Sequence, residues 1–359
     1  MASSPMTSIT NPAQNMIRKF LLACLLPLWL FPAMAQGETL YYNIAHAINH
    51  SKYIDWAVQE GANAIEADLR FSDSGEVVKF QHGAPCECKF LRFLGKLPRV
   101  IWNETDICRQ MVKVDPLFIP DPKKGKVERI RSGDDACLVH ETAPSFMNTL
   151  ARNPSIALFI VDSKVGDSVA DNDTAKAAAG NNVIATLIEE LFEKDYKGNV
   201  IVGVDKASHQ AYIKAAAAAA RGTKYEDRIY FSFDETGVLR GWITGVQKWL
   251  LGSPVERTIE LLHRLAPDKG VYGNGISANL EVIGGLTDTF RAGVAAERGG
   301  RLRMNYIWTL DARNPMDHYL SLGVRGIMTN SPRTLKEVMQ TYLVPLPNGR
   351  RMARPGDPL

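Results

Sequence analysis

Residues 199–233 read NVIVGVDKASHQAYIKAAAAAARGTKYEDRIYFSF and contain the pattern on which the fold prediction depends. An apolar run at Asn199–Val204 is followed by a helix-like stretch at His209–Arg221, which includes six consecutive alanines, and then by a second apolar run at Arg228–Phe233. A strand, a helix and a second strand in this order are typical of two parallel strands joined by a helical crossover. The stretch therefore predicts a parallel sheet.

The same alternation of strand-like and helix-like patterns extends along the chain on both sides. The nine strand candidates are Tyr41–His46, Asn63–Leu69, Val77–His82, Ala157–Ser163, Asn199–Val204, Arg228–Phe233, Val271–Ile276, Arg303–Leu310 and Val324–Thr329. The helix candidates are Ile54–Gly61, Thr174–Lys194, His209–Arg221, Val255–Leu265, Glu281–Arg298 and Pro315–Leu322. With no Pro/Gly/Ser linker between them, these elements predict one α/β domain, a single (β/α)8 TIM barrel. Because a barrel has only eight places, we expect one candidate to be a loop, and we choose the glycine-flanked Val271–Ile276.

The N-terminal segment has the layout of a secretory signal peptide. Arg18 and Lys19 precede an apolar run, Phe20–Met34, and the small-residue motif Ala33-Met34-Ala35 follows as a cleavage site. The run is shorter than the roughly 20 residues that a membrane-spanning helix needs, although an uncleaved anchor is the alternative. We therefore expect a signal peptide at 1–35, a secreted domain at 36–359 and no transmembrane span.

Overall composition excludes one class of protein and gives no support to another. The 359 residues are 45% hydrophobic and 23% charged, which excludes wholesale disorder. A net charge of only +3 gives no support to a nucleic-acid partner.

Four cysteines lie beyond the signal segment, in a stretch with little periodicity between Gly83 and Pro154. They are Cys86, Cys88, Cys108 and Cys137. An even number of cysteines in a secreted protein favours two disulfides, of which three pairings are possible; free thiols and a metal site are the alternatives. We expect a long rim insertion after the third strand, pinned by disulfides.

Polar side chains gather at the ends of the first four predicted strands. They are His46, Glu66, Asp68, His82, Asp162 and Lys164. Residues two apart on a strand point to the same side, and barrel enzymes carry their chemistry at the carboxyl ends of the strands. Taken singly, each feature also has a structural interpretation: a hydrogen-bonded histidine, an exposed strand edge or an internal ion pair. Together, three carboxylates, two histidines and a lysine predict a site for a hard divalent cation with groups for acid–base catalysis.

Several motifs resemble a known family, the sphingomyelinase D/phospholipase D toxins of sicariid spider venom, which also has bacterial and fungal relatives. The motifs are AHA at 45–47, GANAIEAD at 61–68, HGAPCEC at 82–88, VDSK at 161–164, YIWTLD at 306–311 and GIMTN at 326–330. This family is related to the glycerophosphodiester phosphodiesterases. The likeness runs from about Tyr42 to the C-terminus, where 353–359 resembles the family's closing motif. The loop after Cys88 is longer than in the spider toxins.

The resemblance implies a role for each matching residue. Glu66, Asp68 and Asp162 would coordinate one Mg²⁺, His46 and His82 would form the acid–base pair, and Glu87 would orient the second histidine. Residues that would contact the phosphate and the choline end are Lys164, Tyr306, Trp308, Asp311 and Asn330. The resemblance also implies the disulfides Cys86–Cys108 and Cys88–Cys137.

The implied activity is that of a secreted Mg²⁺-dependent phospholipase D of the sphingomyelinase D type. It would release choline from sphingomyelin and lysophospholipids and leave a cyclic phosphate. We expect a monomer that meets its phospholipid substrate at a membrane surface. The alternatives are a glycerophosphodiester phosphodiesterase acting on small soluble diesters and a catalytically silent barrel that serves as a binding protein.

Overall fold

The computed structural model describes residues 38–82, 118–121, 126–129, 140–236, 254–275, 286–343 and 349–359. Over these ranges no helix has both the length and the apolar character needed to cross a bilayer. The predicted signal segment, Glu87 and the four cysteines lie outside the described residues, so the signal peptide and the disulfide-pinned insertion stay predictions.

Thirteen strands are present in the described ranges. They are β1 (Thr39–Ala45), β2 (Ala64–Phe71), β3 (Val77–Phe80), β4 (Phe118–Asp121), β5 (Lys126–Arg129), β6 (Glu141–Thr142), β7 (Leu158–Ser163), β8 (Asn199–Val204), β9 (Ile229–Thr236), β10 (Gly270–Gly275), β11 (Met304–Trp308), β12 (Gly326–Thr329) and β13 (Arg350–Met352).

Eight of these strands close a parallel barrel in the order β1-β2-β7-β8-β9-β10-β11-β12, and β12 pairs with β1 to complete the ring. Side chains alternate between the barrel interior and the surrounding helices, as the pleat requires. The interior is filled by a cluster that includes Ile44, Ile160, Ile201 and Met304. The predicted (β/α)8 barrel is confirmed.

The helices that follow the strands cover the outside of the barrel. They are α1 (Ile54–Gln59), α2 (Ala143–Ala151), α3 (Val165–Ser168), α4 (Asp173–Leu187), α5 (Gln210–Ala220), α6 (Pro254–Leu265), α7 (Leu286–Arg298), α8 (Arg313–Leu322) and α9 (Pro332–Met339). Their inner faces pack on outward-facing strand residues such as Phe159 and Val202, which are fully buried.

We predicted that Val77–His82 forms a barrel strand, and this prediction was wrong. The strand β3 pairs antiparallel with β2, with Leu69 opposite Phe80. Only residues 72–76 join the two strands, with Gly75 in a left-handed turn at φ 90°. A parallel return needs a crossover of about a dozen residues or more, so a link this short allows only a hairpin.

The candidate Val271–Ile276, which we expected to be a loop, is the barrel strand β10. It pairs in parallel with β9 and β11 and is buried throughout. Its glycines remain compatible with a strand because Gly273 leaves room for side chains of the neighbouring strands, as described below. Consequently the long insertion separates the second and third barrel strands, rather than following the third.

The expected lack of periodicity up to Pro154 was also wrong. Helix α2 spans Ala143–Ala151, and its buried Phe146 packs on Phe80 and Phe159, with ring centroids 4.5 and 5.8 Å apart. Its buried residues recur with the spacing of one helix face. This signal was present in the sequence at the end of the insertion.

The C-terminal segment is attached to the amino-terminal end of the barrel. Strand β13 pairs in parallel with the start of β1. Arg351 then binds both carboxylate oxygens of Asp357, at 2.6 and 2.9 Å, and Leu359 packs against the interior cluster. The opposite, carboxyl-terminal end of the barrel carries the predicted site residues.

Candidate active site

Three carboxylates converge at the carboxyl-terminal end of the barrel. Glu66 and Asp68 lie on β2 and Asp162 lies on β7, where the register places Asp162 beside Asp68. All three side chains point inward, and one oxygen from each lies within 4.8 Å of the others. The structure therefore brings together the three residues predicted to form a cation site.

The segment 46–49, which follows β1, holds two of these carboxylates. The Ala47 amide donates to Glu66 Oε2 at 2.7 Å, and Asn49 Nδ2 donates to Asp68 Oδ2 at 2.7 Å. Ala47 adopts a left-handed backbone with φ of 55°, which turns the segment back over β2. Asn49 begins an Asn-His-Ser sequon, but its amide is buried against Asp68 in the folded protein.

Two features of the cluster fit a hard divalent cation. The second oxygen of Glu66, Oε1, is buried and has no hydrogen-bond partner among the described residues. Burial, and then the neighbouring charge of Asp68, raises the pKa of Glu66 to about 8. An all-oxygen set of close carboxylates is costly to ionise without a cation, and oxygen ligands are those that Mg²⁺ and Ca²⁺ prefer.

Lys164 follows β7 and reaches into the same cluster. Its Nζ lies 2.7 Å from Asp68 Oδ1 and 2.5 Å from Asp162 Oδ2. Burial disfavours the ammonium, but Asp162 and Asp68 hold the pKa of Lys164 well above its ordinary value. A permanent positive charge therefore lies at the mouth of the barrel, beside the carboxylates.

A chain of hydrogen bonds fixes the ring of His46. His46 Nδ1 lies 2.8 Å from Asn330 Oδ1, while Asn330 Nδ2 donates to Asp311 Oδ2 at 2.8 Å. Asp311 also accepts from the Asn330 amide at 2.7 Å and from the Thr329 hydroxyl at 2.9 Å. The side-chain NH₂ group of Asn330 faces Asp311, so Oδ1 of Asn330 is the atom that accepts from His46. The proton of neutral His46 is therefore on Nδ1.

His82 reaches the site by way of the β2–β3 hairpin. Arg70 on β2 donates to the carbonyls of Gln81 and His82, and the Gln81 amide donates to the Asp68 carbonyl at 2.8 Å. Burial alone would raise the pKa of Asp68, but Lys164 and His82 lower it below its usual range. Both predicted histidines therefore lie at the same mouth of the barrel as the carboxylates.

The remaining residues predicted to contact the substrate lie either behind His46 or on β11. Asp311 and Asn330 lie behind His46, as described. Tyr306 is fully buried and its hydroxyl donates to Asp234, 2.6 Å from both carboxylate oxygens. Trp308, two residues further along β11, is half-buried, and its Nε1 has no hydrogen-bond partner among the described residues.

Asp234 on β9 is a fourth inward-facing carboxylate that the sequence reasoning missed. The Ser232 hydroxyl donates to it at 3.0 Å, and glycines on both flanking strands make room for it. A Cβ at Gly273 would lie 2.3 Å from Asp234 Oδ1, and one at Gly203 would lie 2.6 Å from Ser232 Oγ. Its signal was an inward-facing carboxylate near a strand end, the same signal that identified Asp162.

The free energy of unfolding should depend on pH through Asp234. Burial, and then Asp162, raises the pKa of Asp234 to about 7. Since the unfolded carboxyl titrates near pH 4, the folded protein holds an extra proton between these values, and its stability falls as the pH rises from about 4 to about 7. Asp234→Asn should remove a fall on the order of 2–4 kcal/mol. Urea unfolding at several pH values in EDTA measures it.

The matched control for this prediction is Ser232→Ala, which removes a hydrogen bond to Asp234 and keeps the carboxyl group. This variant should retain the fall in stability. Parallel pH profiles for the wild type and Asp234→Asn would contradict the expected titration.

Comparisons with known proteins point to one family of toxins. The family described as dermonecrotic toxin SPH matches residues 37–92. Dermonecrotic toxin LiSicTox-alphaII1 of Loxosceles intermedia is 24% identical over 318 residues, covering 85% of this chain and 84% of the toxin. Dermonecrotic toxin Hl-PLD1 of Hemiscorpius lepturus is 24% identical over 315 residues, covering 84% of this chain and 79% of the toxin.

Among solved structures, a putative glycerophosphoryl diester phosphodiesterase from Silicibacter pomeroyi is similar with a TM-score of 0.49 and 10% identity. The match covers 86% of this chain and 96% of that one.

The closed barrel, the acidic cluster at its carboxyl-terminal mouth and the toxin relatives define an enzyme of the phospholipase D/phosphodiesterase class. Within this class, the chain is similar to the dermonecrotic toxins over most of its length. The resemblance predicted from the motifs is confirmed.

Proposed function

We propose that the protein is a secreted, Mg²⁺-dependent phospholipase D of the sphingomyelinase D type. The observation that carries the proposal is the position of His46. Its Nε2 lies 3.9 Å from Glu66 of the carboxylate cluster, and its Nδ1 is bound by Asn330. This arrangement of an imidazole beside three clustered carboxylates supports a general base and a cation site at one mouth of the barrel.

Glu66, Asp68 and Asp162 would hold the metal ion. When bound, Mg²⁺ would act as a Lewis acid and neutralise negative charge on the phosphate oxygens. Lys164 adds a positive charge beside the same carboxylates, which supports a role in binding the phosphate.

His46 is the proposed general base. Its neutral form carries the proton on Nδ1, so Nε2 offers a lone pair to a substrate hydroxyl. The imidazolium that forms would keep its hydrogen bond to Asn330, and Asp311 behind it would stabilise the positive charge. His82 is the proposed general acid, which protonates the departing headgroup oxygen.

The attacking hydroxyl would belong to the substrate itself. Its oxygen bonds to phosphorus, its proton passes to His46, and the bond from phosphorus to the headgroup oxygen breaks as His82 supplies a proton. The products are a cyclic phosphate and a free headgroup such as choline. An intramolecular attack of this kind has a large effective-molarity advantage over attack by water. Trp308 at the mouth is the proposed face for a cation–π contact with a quaternary ammonium group.

Phosphorus NMR of the reaction products tests the proposal. The full secreted chain with Mg²⁺ is expected to convert sphingomyelin and lysophosphatidylcholine to cyclic phosphates with release of choline. Turnover of glycerophosphocholine and of neither lipid would instead establish a phosphodiesterase for small soluble diesters. An open phosphate monoester as the product from the lipids would contradict the cyclisation. Turnover of none of the three diesters would contradict an enzymatic role.

Secretion belongs to the same proposal. It is supported by the charged and apolar layout of residues 18–35, and N-terminal sequencing of the secreted protein is expected to begin at Gln36.

A further inference from the structure

Asn49 and Asp68 form a reciprocal pair in the barrel interior. Asn49 Nδ2 donates to Asp68 Oδ2 at 2.7 Å, and the Asp68 backbone amide donates to Asn49 Oδ1 at 2.8 Å. Asn49 is 3% exposed and Asp68 is 1% exposed. Because both ends of the Asn49 amide are engaged, its orientation is fixed, and so is the side chain of Asp68.

This pairing separates the two oxygens of Asp68. Oδ2 is directed to Asn49, while Oδ1 faces the cluster and lies 2.7 Å from Lys164 Nζ. Glu66 is held in the same manner, since the Ala47 amide takes Oε2 and Oε1 has no hydrogen-bond partner among the described residues. The segment 46–49 thus donates a hydrogen bond to one oxygen of Glu66 and to one oxygen of Asp68, and the second oxygen of each carboxylate faces the cluster.

We propose that Asn49 is a positioning residue for the metal site. It holds the Asp68 side chain in one rotamer, in which Oδ1 faces the cation. Without Asn49, Asp68 would have to adopt this rotamer from among several when the cation binds. The inference rests on the proposed cation site and adds to it a residue outside the ligand set. Hydrogen bonds from outside the ligand set orient metal ligands, and their loss typically weakens metal affinity by about 10–100-fold.

Calorimetric titration of the purified full chain with Mg²⁺ and with Mn²⁺, without substrate, tests the inference. Asn49→Ala should raise the Kd for both ions by about 10–100-fold. Asn49→Ser, which keeps a short polar group and leaves a smaller cavity, provides a second variant should the alanine protein fail to fold. Its Kd should also rise at least severalfold. At saturating Mg²⁺ the kcat of either variant should return toward the wild-type value, because the contacts of Asn49 are with the ligand Asp68 and the expected loss is in the affinity for the ion.

Asn63→Ala is the matched control. Asn63 is also a buried asparagine, and its Nδ2 donates to the carbonyls of Tyr41 and Ala353 at the opposite end of the barrel. Its loss should lower the melting temperature and leave the Kd for the ions unchanged.

Two results would overturn the inference. One is an unchanged Kd in folded Asn49 variants, and the other is an equal rise in Kd for Asn63→Ala, which would indicate general loosening of the barrel. If instead the wild type binds neither ion, the proposed cation site itself fails, whatever the variants do.

Discussion

Replacing either histidine by alanine is expected to lower kcat by about 10²–10⁴-fold, the usual contribution of a positioned general acid or base. The His46→Ala variant lacks the group proposed to accept the hydroxyl proton. The His82→Ala variant lacks the group proposed to protonate the leaving oxygen. Both side chains are only partly buried, so the melting temperature should change little. Steady-state kinetics on lysophosphatidylcholine and thermal unfolding measure the two effects separately.

The double variant distinguishes a coupled pair from two independent groups. If His46 and His82 act in one concerted transfer, removing both should cost scarcely more than removing one, since residues that act as a unit are strongly non-additive. Losses that multiply would show that the histidines serve separate steps. His318 provides a control, because it is an exposed histidine on α8 that bonds to Thr287, and its replacement by alanine should leave kcat unchanged.

The barrel and the acidic cluster could be predicted from sequence because both depend on local periodicity. Glu66, Asp68 and Asp162 alternate with buried apolar residues on two strands, so the alternation places the acids of each strand on one face. Their position near the carboxyl ends of barrel strands, where barrel enzymes carry their chemistry, favours the inner face. The error at Val77–His82 came from counting strand-like runs without weighing the short link that precedes them. Asp234 followed the same alternation as Asp162 and could have been found by it.

Asn49 and Arg70 could not be predicted in this way. The contact of Asn49 with Asp68 depends on the left-handed turn at Ala47. Alanine rarely adopts this conformation, so the sequence does not predict the turn. Arg70 acts on the carbonyls of Gln81 and His82, which become its neighbours only when β2 and β3 pair. Such residues support a site through bonds between distant segments, and a pattern of residue types along one strand carries no trace of them.

Asp68→Asn is expected to abolish turnover while leaving the barrel folded. The substituted amide keeps the size of the carboxylate, and its oxygen can still accept from Asn49. In that orientation its NH₂ group faces Lys164 and the other carboxylates, where a cation ligand is required. The site then loses both a ligand and a charge, a loss of several kcal/mol of transition-state stabilisation, or about 10³-fold or more in kcat.

Chelation should reproduce this loss in the wild type, and added Mg²⁺ should reverse it in the wild type alone. Asp357→Asn is the matched control, because that carboxylate binds Arg351 at the opposite end of the barrel. Its substitution should lower the melting temperature and leave kcat unchanged. Full activity of the wild type in excess EDTA, or an Asp68→Asn protein as active as the Asp357 control, would contradict a metal ion held by these carboxylates. Asp68 and Asp162 would then have to be explained by their pairing with Lys164.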